Sequence, residues 1–103
     1  MSWQETHRRW TALREIAETA ERRRDGALPW SDEYAEIFGD REQLVAALRY
    51  RWQLNLTAQL DDHLPEKALD ATRRRLFADN AGVLRILTAH AAGHRTEEHR
   101  VSA

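Results

Sequence analysis

The sequence predicts an all-α protein: a small helical bundle of three long helices and one short one, mostly antiparallel. Apolar residues recur at helical spacing through most of the chain, and nothing alternates at strand period for long enough to argue for a sheet. Cap-forming Ser and Asp residues and one proline stand at the starts of these segments, with Gly or Pro near the ends. The stretch Leu44 to Leu60 carries only two charges, Arg49 and Arg51, in a chain that is 32% charged. Such a segment needs two or three neighbours to cover it and reads as the central helix.

The first helix is announced by Ser2 with Glu5 three residues on, a capping box. On a 100° wheel Trp3, Trp10 and Ala17 fall together, with Leu13 on one flank and His7 and Arg14 on the other. Arg22-Arg23-Arg24 suits the negative end of the helix dipole, and Asp25-Gly26 ends the segment. A linker through Pro29 and Trp30 crosses in extended form, because the residue before a proline avoids helical angles.

Ser31 caps a short second helix containing Tyr34, Ile37 and Phe38, closed by Gly39. Asp40 with Gln43 starts the third, from about Arg41 to Asp62, with Leu44, Val45, Leu48, Trp52 and Leu56 on its apolar arc. His63-Leu64-Pro65 separates it from the fourth, and proline fits the first position of a helix. The fourth keeps one phase from Leu69 through Leu76, Asn80, Val83 and Leu87. Gly82 lies off that phase, so one helix with a soft point is expected, two separate helices being the alternative. One domain over residues 1–92 and a polar, fraying tail over 93–103 complete the plan.

Over seven residues, Phe38-Gly39-Asp40-Arg41-Glu42-Gln43-Leu44 resembles the segment that opens the fourth helix in TetR-type repressors. The resemblance implies a capped helix start packed on an aromatic. The preceding stretch, Gly26 to Ile37, has no helix-turn-helix pattern, and no DNA-binding function is carried across.

Composition narrows the function classes. At 103 residues the chain has the size of one domain, and its formal net charge of -1 provides no basic field for nucleic acid or anionic lipid. Cysteine is absent, which excludes disulfides and thiolate metal sites. With no signal-peptide pattern and no apolar run of membrane-spanning length, a cytoplasmic protein without membrane attachment is the expectation. Fifteen of the sixteen basic residues are arginine, Lys67 being the exception.

Two constellations stand out. Asn55 and Gln59 interrupt the apolar face of the third helix one turn apart, with Arg51 a turn before them. A buried amide without a partner costs ~1–3 kcal/mol, so these amides must be satisfied. They are read first as a register-setting seam and second as a small-ligand pocket between the third and fourth helices, lined by Arg51, Asn55, Gln59 and Arg73. The aromatics form the other group. Trp10 and Trp52 read as core, whereas Trp3 at a chain end and Trp30 in a linker are harder to bury. With Tyr34 and Tyr50 these two make a candidate protein-binding surface.

His90 and His94 stand four apart with Glu97, Glu98 and His99 following, but no third ligand has a fixed spacing, and no metal site is assigned. No catalytic residue and no cofactor is assigned either. Arg49-Tyr50-Arg51-Trp52 interleaves cations with aromatics, yet helical neighbours point about 100° apart, which argues against a nucleic-acid surface. The expected function is a non-enzymatic helical interaction or regulatory module, with a protein partner or itself in a homodimer. A small-ligand-binding protein or minor enzyme is the alternative.

Overall fold

Ser2 opens the first helix as its side chain predicts: its Oγ accepts from the Glu5 N–H at 3.2 Å. The structure is a computed structural model that describes residues 2–60 and 63–102, with side chains as far as Ala91. Among the described residues there are five helices and no strand: α1 (Trp3–Arg23), α2 (Asp32–Phe38), α3 (Arg41–Gln59), α4 (Glu66–Asp79) and α5 (Ala81–Ser102).

Local chemistry sets the ends. Arg24 closes α1 in the left-handed region at φ 50°, donating its N–H to the Ala20 carbonyl at 2.8 Å. The Asp25 Oδ1 then accepts from the Ala27 N–H at 3.0 Å. This bond, with Arg23 beside it, holds the Asp25 carboxyl below its ordinary pKa. Ser31 caps α2 through the Tyr34 N–H, and Gly39 ends it at φ 95°, a conformation open to glycine and strained for other residues. Asp40 caps α3 through the Gln43 N–H at 2.8 Å, so the capped start implied by the sequence is present, with Phe38 buried just before it. Asp61 and Asp62, at the expected end of this helix, lie outside the described residues.

The loop 24–31 and α2 carry the chain back along α1. Arg8 pairs with Glu36 at 3.5 Å, and Arg9 donates to the Ile37 carbonyl at 3.4 Å while its guanidinium stacks 5.1 Å over the Phe38 ring. As a result α1 and α3 start at the same end and run in the same general direction. Trp10 and Leu13 stand by Gln43 to Tyr50, and Arg14 to Arg22 stand by Arg51. A mostly antiparallel bundle is the expectation, and α1 and α3 depart from it because the loop and α2 return the chain to the start of α1.

The core is built on α1, α3 and α5, whose Ile16, Leu44, Leu48 and Ile86 are fully buried. On α1 the buried stripe is Ala12, Leu13, Ile16, Ala17 and Ala20, rotated away from the stripe through Trp3 and Trp10 that the wheel suggests. Trp10, expected in the core, is 43% exposed. Small residues decide the matter, because they let another backbone come close. Gly82 of α5 sits against Ala20, where an added Cβ would lie 2.1 Å from the Ala20 carbonyl oxygen.

The expected fourth helix is two helices. The break falls at Asn80 (φ -117°, ψ 21°), and α5 continues through Gly82 without interruption. Asn80 donates its side-chain Nδ2 to the Leu76 carbonyl at 2.9 Å, a local bond that competes with helix continuation. Glu21 then caps the new helix, both carboxylate oxygens accepting from α5 N–H groups: Gly82 at 3.0 Å and Val83 at 2.9 Å. Arg85 donates back to the Arg24 carbonyl. Residues 93–102 continue α5 as backbone helix, and their side chains lie outside those described.

Candidate functional site

The amide seam is not a buried site. Among the described residues no polar side chain is buried: Asn55 and Arg51 are half-buried, and Gln59 and Arg73 are exposed. The cause is the stance of α4, which lends the core only Leu76 and meets α3 chiefly near its own C-terminal end. There the Phe77 ring packs edge-on to Trp52, centroids 5.5 Å apart and planes at 79°. The four candidate ligand residues are also divided. Arg51 lines a cleft of about 510 Å³ with Arg14, Glu18, Glu21, Arg22 and Asn80, while Arg73 lines a separate one along α4 with Glu66, Leu69 and Asp70. The cost of an unpaired buried amide therefore does not arise here.

The aromatic candidates divide too. Trp30 packs on the core beneath Arg41, whose guanidinium lies 5.1 Å from the ring centre. Tyr34 is half-buried against the core, and this burial, with Glu15 and Glu33 nearby, raises its hydroxyl pKa above the ordinary tyrosine value. Trp3 and Tyr50 face outward, 78% and 59% exposed. Trp3 stacks on His7 one turn along α1, with centroids 5.3 Å apart and planes at 8°.

What joins Trp3 to Tyr50 is Trp10, which sequence reasoning placed in the core. It stands seven residues from Trp3 on the same side of α1, and with Tyr50 it walls a groove of about 330 Å³ between α1 and α3. Ala46 and Ala47 leave the space, and Leu13 borders it. The signal that could have found it was the run Ala12, Ala17, Ala20. Small residues mark the face that packs closely, which leaves the tryptophans outside.

Arg9 lines this groove and Arg14 is exposed one turn beyond Trp10, but the exposed positions beside the groove are poor in charge. The exposed residues Gln43, Ala46, Tyr50, Gln53, Leu54 and Thr57 form the side of α3 opposite Leu48 and Trp52, and Trp3, Thr6, His7 and Trp10 continue that surface on α1. None is Asp, Glu, Lys or Arg. Depletion of charge with enrichment in Trp and Tyr is the composition of an interface centre.

Other motifs are dispersed. Arg49 and Tyr50 are exposed, Arg51 lines its cleft, and Trp52 is buried, so the four residues make no common surface. Of the arginine triplets, Arg23 meets Asp25 at 3.4 Å and Arg74 meets Asp70 at 2.6 Å. No group of three or more His, Asp or Glu that could hold a metal occurs among the described residues, and the side chains of His94, Glu97, Glu98 and His99 lie outside them. No helix among the described residues is long and apolar enough to cross a membrane. No known family model matches the chain, and no curated protein or solved structure matches it.

Proposed function

We propose that this chain is a non-enzymatic interaction module that docks a protein partner on the face shared by α1 and α3. One observation carries the reading: ten exposed positions across two helices, with two tryptophans and a tyrosine among them, hold no formal charge. Trp3, Trp10 and Tyr50 remain 78%, 43% and 59% exposed, so each forgoes part of the ~1.5–3 kcal/mol that full burial of a large apolar side chain contributes, and a covering partner recovers it. The ligand-pocket alternative has less support, since Arg51 and Arg73 line different clefts.

The test is photocrosslinking in the native host, with benzoylphenylalanine in place of Gln53, inside the face, or of Arg75, on exposed α4. A discrete adduct from position 53 and none from position 75 is expected, and Trp10→Ala should remove it while helical circular dichroism is unchanged. Equal labelling from both positions, or no adduct from position 53, would reject this face as the docking surface.

A further inference from the structure

We infer that the partner is a second copy of this chain, docked α3 against α3 in antiparallel fashion about a two-fold axis beside Ala46. The inference rests on the reading of the α1/α3 face given above, and charge complementarity selects the occupant. Glu42 and Arg49 lie seven residues apart on one edge of the uncharged stripe, both exposed. They are about 10 Å apart along the helix, too far to pair with each other. The ion pairs among the described residues involve neither of them.

When two identical helices pack antiparallel about a two-fold axis, each edge meets the same edge of its mate. Glu42 then faces the Arg49 of the second copy, and Arg49 its Glu42, when the axis passes between residues 45 and 46. A parallel two-fold pairing would set this edge against the opposite edge of the mate, where Gln43, Ala47 and Leu54 carry no charge, and would leave Glu42 and Arg49 unpaired, so the charges favour the antiparallel arrangement. The same register brings Gln43 to within about two residues of the second copy's Tyr50 on the opposite edge, the edge that borders the groove. Ala46 falls at the axis, where a small side chain permits close helix approach. Trp10, beside Gln43 and Tyr50 in the groove wall, is placed to cover the incoming tyrosine. In this register residues 41–50 of the two α3 helices overlap, about 15 Å of helix, so the contact is a small and reversible one.

Sedimentation velocity of the full chain over a concentration series tests this directly. The wild-type chain should pass from monomer to dimer. Glu42→Arg and Arg49→Glu should each raise the dimer dissociation constant about tenfold, since each sets like charges together twice. An equimolar mixture of the two variants should recover dimer, because its mixed pairs are again opposite. A bare monomer at every concentration, or a dimer indifferent to both substitutions, overturns the inference. The two proposals fail separately. A position-53 adduct of two chain masses supports self-docking, an adduct of another mass on a monomeric chain keeps the face and rejects the second copy, and no adduct rejects both.

Discussion

The joint between α1 and α5 and the arm formed by α4 with the C-terminal half of α3 are both helix contacts, but they are built from opposite materials. At the joint Ala20 faces Gly82 backbone to backbone, and Glu21 reaches across 61 residues of sequence to cap the second helix. On the arm an edge-on Phe77–Trp52 contact stands beside half-buried Asn55 and exposed Gln59, and Leu54 and Phe77 remain largely uncovered. Tight helix approach here follows from small residues and a satisfied helix end. Large apolar residues alone do not close a contact, because amides and charges between them keep their water.

The largest break in this contrast is Gly82→Ala. Its Cβ would meet a backbone oxygen that cannot swing aside, so the loss should exceed the ~1–3 kcal/mol usual for overpacking. Urea unfolding measures it, and a loss below 1 kcal/mol would show that the joint is slack. Next comes Glu21→Ala, which leaves the first N–H groups of α5 uncapped and should cost about 1–2 kcal/mol, whereas Glu18→Ala, exposed on the same helix, should stay within about 0.5 kcal/mol. Equal losses in the two variants would remove the cap from the account. The smallest effect belongs to the arm. Asn55→Leu should change stability by no more than about 0.5 kcal/mol, since the amide is only half-buried. A loss above 2 kcal/mol by the same measurement would mean the seam is partnered and closed.

Helix starts were legible in the sequence because capping is local: Ser2, Ser31 and Asp40 each bond an N–H three residues on, as their spacing implies. The lack of charge on α3 was legible, and Leu44, Leu48 and Trp52 are buried as expected. The opposite side of this helix, expected to be covered by neighbours, is exposed. Ile16 and Ile86, both fully buried, were not picked out. Of the candidate surface residues, Trp3 and Tyr50 are exposed, while Trp30 and Tyr34 pack on the core. A hydrophobic wheel weights tryptophan heavily and alanine lightly, and so it turns α1 toward the wrong neighbour.

The sequence by itself determined the all-helical class, the capped starts and the charge-poor character of the third helix, all of which depend on residues within a few positions of one another. Only the tertiary structure decided that α4 and α5 separate at Asn80, that Glu21 caps α5, that the amide seam stays wet and that Trp10 faces outward. Each depends on which backbone can approach which, and that distance is set by side chains tens of residues apart acting together.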